Sequence, residues 1–186
     1  MQEKENILRI LKETKEAIKQ GDIVKIKNLS NQTNNTASRT QDPDNITVAV
    51  IVYSIGKILE RDKYREYPEW NRFYKNILFF INEIINSLEE NRDEKLKKNL
   101  GYIRKEINNL SGKLKKYIQD VFRKASINKA SKIYEHGISM EKTAKLLGIS
   151  MFELASYAGQ TEISDVPLGK TLDTKKRIKL VIDIFS

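Results

Sequence analysis

Three features of this 186-residue chain predict an all-α fold. Glycine (8) and proline (3) are scarce, so few positions force a turn. Apolar residues return at spacings of three and four through most of the sequence, the period of a helix with one buried side. From Leu96 to Val121 that alternation is unbroken, as in a coiled-coil seam. The length suits one or two domains with a core large enough to need no staples.

The first helix is expected from Glu3 to Lys19, with Ile7, Ile10, Leu11 and Ile18 inward and Gly21 as its stop. Asp22 caps a second segment from Ile23 to Arg39, whose apolar side fades into LSNQTNNTASRTQ, a fraying helix or a loop. Asp42-Pro43 is a cap followed by proline at the first helical position. The β-branched run ITVAVIVY that follows suits a strand, yet Val48, Ile51, Ile55, Ile58 and Leu59 extend a helical stripe to Arg61. A buried helix is the better reading. Pro68 opens the next helix, with Tyr74, Ile77, Ile81, Ile84 and Leu88 on one side. After Asn91-Arg92-Asp93-Glu94 comes the seam itself: Leu96, Leu100, Ile103, Ile107, Leu110, Leu114, Tyr117 and Val121. Two such helices joined by a short polar break should fold into an antiparallel hairpin over 68–122. Gly101 and Ser111-Gly112 lie off the seam and can bend its second helix. An exposed seam can also pair with another chain, so a homodimer is an alternative use of it.

Asn128 to His136 forms one more helix, with Ala130 and Ile133 inward. It precedes Gly137 to Gly159, GISMEKTAKLLGISMFELASYAG. Here Ala144 is small where two crossed helices touch, and Gly148 tolerates the left-handed backbone that ends the first. Ile149 plugs the turn, Ser150 caps the second helix, and Leu147, Leu154 and Tyr157 share a small core. This stretch resembles the helix-turn-helix superfamily, nearest to small prokaryotic regulators and antitoxins. The resemblance covers these 23 residues alone and implies a second helix laid in the DNA major groove. The sequence departs from the superfamily pattern at the base-reading positions. They are Met151, Phe152 and Glu153, and no Lys or Arg occurs between Lys145 and Lys170. That helix therefore lacks the Arg or Lys contact to guanine that dominates direct readout. After a loop through Pro167 and Gly169, a last helix starts at Asp173 and buries Ile178, Val181, Ile182 and Phe185. The chain thus divides into a helical bundle over 1–124 and a helix-turn-helix unit with a C-terminal helix over 125–186.

The charge is unevenly placed. The chain carries 34 basic and 25 acidic residues, net +9, and the stretch from Arg92 to Lys132 holds 13 basic against 4 acidic ones. The whole excess lies just upstream of the motif, the footprint of a polyanion binder. Lys, Asn and Ile are all abundant, so compositional bias contributes, but bias alone does not concentrate charge in one place. Lys97, Lys98, Arg104, Lys105, Lys113, Lys115, Lys116, Arg123 and Lys124 spread around the polar side of the hairpin, which suits solvation as well as binding.

Catalytic chemistry has little to work with. There is no cysteine and one histidine, His136, at an expected helix C-terminus where the dipole explains it. Thiolate metal sites, disulfides and the usual nucleophile pairs lack their residues. No phosphate-binding loop, dinucleotide fingerprint or other cofactor motif appears. The Arg-x4-6-His motif of helical HEPN-type nucleases fails, since Arg123 is too far from His136. The opening MQEKENILRI is charged and amphipathic, unlike a signal peptide, and the longest apolar run, Ile46 to Tyr53, is too short to span a bilayer. A cytoplasmic protein is expected, in which the five Asn-x-Ser/Thr sequons are incidental.

Two non-enzymatic functions remain. One is a DNA-binding regulator, with Ser150, Met151, Phe152 and Ser156 at the groove and Lys142 and Lys145 assisting. Lys124, Lys129, Lys132, Lys175, Lys176, Arg177 and Lys179 would contact phosphates. The other is a helical adaptor that docks a protein through Met151 and Phe152 and rests its basic hairpin on RNA or an acidic partner.

Overall fold

The computed structural model describes residues 1–135, 138–147 and 149–160, all of their regular structure helical. Eight α-helices follow in order among the described residues: α1 (Lys4–Gln20), α2 (Ile23–Thr40), α3 (Pro43–Leu59), α4 (Trp70–Glu89), α5 (Asp93–Asn109), α6 (Gly112–Glu135), α7 (Met140–Leu147) and α8 (Met151–Gln160). A 3-10 turn, Asp62–Glu66, joins α3 to α4. No described helix is long and apolar enough to cross a membrane.

The starts and stops obey local chemistry. Gly21 ends α1 with φ of 69°, and its neighbour Asp22 accepts the Lys25 backbone N–H to cap α2. Asp42 accepts the N–H groups of Asp44 and Asn45 and so caps α3, with Pro43 in the first turn. Pro68 stands two residues before α4, which begins at Trp70.

α2 is helical throughout, including the polar run that left a loop open. Its buried side carries Ser30, Thr33, Asn34, Thr36, Ala37 and Ser38. Hydroxyls here return to the helix's own carbonyls: Thr33 donates to Ser30 O at 2.6 Å and Thr40 to Thr36 O at 2.8 Å. Thr36 also accepts from the Asn6 amide of α1 at 3.0 Å. Small buried side chains let α2 lie close to α3, where a Cβ on Gly56 would meet Ile26 Cγ2 at 3.1 Å.

α3 is the axis of the molecule. Residues on all its sides are buried, and it packs on α2, α5, α6 and α7. That explains why a β-branched run forms a helix here, since tertiary burial outweighs a small propensity cost. Ile7, Ile10, Leu11, Ile26, Leu29, Ile81, Ile84, Leu96 and Ile103 join it in one large core.

The hairpin expectation is met in part. α4 and α5 pack antiparallel, but the seam does not continue as one helix. Leu110 is extended (ψ 159°), Gly112 takes a φ of 56°, and Ser111 hydroxyl donates to Glu69 at 2.9 Å across the break. α5 therefore stays on α4, while α6 swings onto α3. Leu96, Leu100, Ile103, Ile107, Leu110, Leu114 and Val121 are buried inside the chain, so they are not available to pair with a second copy. Tyr117 leaves the seam and stacks on Tyr64 at 5.7 Å between ring centroids, and Ile118 takes its buried place.

The expected divide between residues 124 and 125 falls within α6, which runs unbroken to Glu135. Its far end packs back on the bundle, as Ile133 and Ile138 share a small core with Ala37, Ile46 and Ala49. The short helices α7 and α8 thus pack on the last turns of a bundle helix. The expected last helix, from Asp173, lies outside the described residues.

Candidate nucleic-acid interface

α6, α7 and α8 pack on one another as a three-helix unit. Ala130, Ala144 and Leu154 meet at its centre, with Met140 and Ile149 against them. Three small or medium side chains allow short helices to cross closely. Ile149 N–H donates to Ala144 O at 3.1 Å, which ties the turn back onto α7. Ser139 starts α7, accepting the Lys142 N–H on its hydroxyl at 3.3 Å and the Thr143 N–H on its carbonyl at 2.9 Å. His136, Gly137 and Gly148 lie outside the described residues, as does the Leu147 side chain.

The start of α8 is a reciprocal capping box. Glu153 N–H donates to Ser150 Oγ at 3.1 Å, and the Glu153 carboxylate accepts Ser150 N–H at 3.0 Å and its hydroxyl at 2.9 Å. Arg123 of α6 donates to the other Glu153 oxygen from Nε at 3.1 Å and from Nη2 at 2.5 Å. Backbone N–H donation from Ser150, then the guanidinium, hold the Glu153 carboxyl at about 2, far below its ordinary range. Asn128 Nδ2 donates to Tyr157 OH at 3.2 Å, so the half-buried ring of Tyr157 is pinned to α6. The Ser-x-x-Glu spacing of Ser150 and Glu153 is the sequence signal for this cap, and the reading of Glu153 as a base-facing residue overlooked it. Nothing in the sequence marks Arg123 as its partner, thirty positions away.

α8 has a clear inside and outside. Leu154 and Ala158 are buried, four residues apart. Phe152, Ala155 and Ser156 occupy the opposite side and are exposed, with Met151 beside them. Phe152 keeps 81% of its surface open and Met151 53%. The bundle does not cover this side. Lys142 and Lys145 are exposed on neighbouring α7.

The cations expected to touch phosphate divide into groups. Lys124 and Lys132 are exposed, but each is paired on its own helix, with Asp120 at 2.9 Å and with Glu135 at 2.8 Å. Lys175, Lys176, Arg177 and Lys179 lie outside the described residues. Lys129 is a correction: it points inward and is 1% exposed. Its Nζ donates to Ser30 Oγ at 2.8 Å and sits 4.6 Å from the centroid of the Tyr53 ring. Burial, with a smaller push from Lys132, brings its pKa down to about 7. It cannot reach a phosphate, because α2 and α3 cover it. Its flanks explain the direction: Ala130, Ile133 and Ala125 set the inner side of α6, and Lys129 shares it.

Among the described residues no group of three or more His, Cys, Asp or Glu side chains could hold a metal ion. No protein-family model, curated protein or solved structure matches the chain.

Proposed function

We propose that the chain is a DNA-binding regulator whose α8 enters the major groove, a binding protein and not an enzyme. The observation that carries this reading is the open outer side of α8. A second helix can be inserted in a groove only if its outer side is free, and Phe152, Ala155 and Ser156 are exposed on the second of two short helices packed on α6. Lys142 and Lys145 flank that side, and the remaining excess charge of the 92–132 segment supplies attraction to the backbone. Lys124 and Lys132 contribute by exchanging a surface carboxylate for a phosphate, a small change because exposed ion pairs are weak. Ser150 acts by positioning α8, since its hydroxyl proton is committed to Glu153.

The test is a salt titration of the protein against random and genomic duplex fragments, with selection and sequencing of what stays bound. Enrichment of one sequence is the expected result, and an inverted repeat would show that two copies bind together. Retention without sequence preference, lost at moderate salt, would sink the reading.

A second reading is favoured by one specific observation. The outer side of α8 has no cation and carries a phenylalanine at 81% exposure, which suits a protein-docking contact more than a row of base edges. In that adaptor reading, Met151→Asp or Phe152→Asp abolishes capture of a protein partner and leaves nucleic-acid affinity unchanged.

A further inference from the structure

A groove of about 530 Å³ lies where α5 parts from α3 and α6, on the side of the bundle that leads to α8. Its floor is apolar, made by Ile46, Val50, Leu100, Ile103, Ile107 and Phe122. The groove exists because the helices diverge at the Leu110–Gly112 break and because α5 has no side chain at Gly101. A Cβ there would meet nothing within 4 Å. A glycine in mid-helix costs roughly 1 kcal/mol relative to alanine, and here it lines open space instead of a close contact.

Two cations line the same groove, Lys97 on α5 and Arg123 on α6. Lys97 feels the charge of Asp93 one turn away, a carboxylate that itself pairs with Lys4 at 2.9 Å. The one carboxylate in the lining, Asp44, is 3.7 Å from the chain's amino-terminal nitrogen, which offsets its charge. Arg123 is already bound to a carboxylate, that of Glu153 at the start of α8. An apolar trough of this volume with a cationic margin matches a small molecule that has a hydrocarbon body and an anionic head.

The geometry points to this groove as a binding site for a medium-chain carboxylic acid, whose carboxylate takes the Arg123 guanidinium in exchange for Glu153. The hydrocarbon removes the apolar floor from water, and the head replaces like with like at Arg123. The exchange has a consequence at α8. Glu153 keeps its bonds to Ser150 but loses its compensating cation, so an unbalanced negative charge stands at the end of α8 nearest the groove of DNA. On the regulator reading proposed above, and resting on it, the acid lowers affinity for DNA.

The binding step is tested without DNA, by calorimetric titration of the full chain with decanoate, decanol and decyltrimethylammonium, each below its micellar concentration. Decanoate should bind with one site per chain, and the cationic probe should not bind. Lys97→Glu and Arg123→Gln should each weaken decanoate about tenfold, the effect of one charge-assisted contact. Gly101→Leu, a change toward a better helix former, should keep the fold and fill the trough, removing the site. Equal binding of the three probes, or none by decanoate, overturns the proposal, as does full decanoate affinity in Gly101→Leu. Coupling is read by NMR titration of the Glu153 carboxyl, whose pKa should rise toward the ordinary carboxyl range with decanoate in the wild type and stay unmoved by decanoate in Arg123→Gln. An unchanged Glu153 titration with bound decanoate overturns the exchange at Arg123. These readouts stand even if α8 proves to dock a protein, so failure of the acid site and failure of the DNA reading are separately visible.

Discussion

The bundle of α1 to α5 with the first half of α6, and the three-helix unit at the end of α6, are held together in different ways. The bundle has a contiguous core rich in isoleucine and leucine, spread over six helices. The unit has Ala130, Ala144 and Leu154, with Met140 and Ile149 at their edge. Helices of eight and ten residues are marginal on their own. Polar ties add to their packing: the Ser150–Glu153 box, the Arg123 bridge and the Asn128–Tyr157 bond. The bundle rests on burial, and the unit joins burial to directional bonds. Directional bonds set the angle of a helix, to which an apolar contact is indifferent.

The largest effect that tests this contrast is a cavity in each core. Ile81→Ala, in a fully buried position, should cost about 3 kcal/mol of global stability and shift urea unfolding of the whole chain. Leu154→Ala is equally buried but should act locally. Amide protection in α7 and α8 should collapse while the unfolding midpoint of the bundle barely moves. If Leu154→Ala lowers the global midpoint as much as Ile81→Ala, the two regions form one cooperative unit and the contrast fails.

Lys129 sits where the two regions meet, and its effect depends on pH. Its pKa of about 7 in the fold lies below that of a lysine in an unfolded chain. Below pH 7 both states hold the proton, and the fold carries the full cost of a buried charge. As pH rises from 7 toward 10 the native chain releases the proton first, so stability should increase, with a slope of at most about 1.4 kcal/mol per pH unit. Lys129→Met should lose that slope, so the stability difference between the two proteins should change across pH 7, 8 and 9, measured by urea unfolding. Parallel profiles would show that Ser30 and the Tyr53 ring keep the ammonium charged throughout.

The cap gives a smaller effect. Ser150→Ala should cost about 1 kcal/mol, confined to α8 and visible as faster exchange of the amides of its first turn. Acid should act on the same contact. The Glu153 carboxyl titrates near 2 in the fold, so its contribution is complete above the ordinary carboxyl range and fades as pH drops from about 4 to 2. Exchange in α8 that is indifferent to both changes would mean that packing, not the box, aims the helix.

The sequence by itself determined the helical class, the limits of α1 and α3, and the capped start of α8. In each case the cause is local: a glycine at positive φ, an aspartate with a proline behind it, a serine three residues before a glutamate. The inner side of α8 was legible in part, since Leu154 is buried as expected while Tyr157 is half-buried and Ala158 takes the deeper place. Tertiary structure decided the rest. The seam from Leu96 to Val121 has a perfect four-three pattern, yet it breaks at Leu110, because α4 can bury only one length of it and α3 the other. α2 is helical despite its Ser, Thr and Asn, since their small hydroxyls and amides fit a close α2–α3 contact. Lys129 looked like one more surface cation, and only the arrival of α2 and α3 over α6 made it a buried one. Arg123 became the partner of Glu153 because α8 packs back on α6. Pattern along a chain reports what each helix must bury, and which neighbour buries it depends on contacts between residues far apart in that chain.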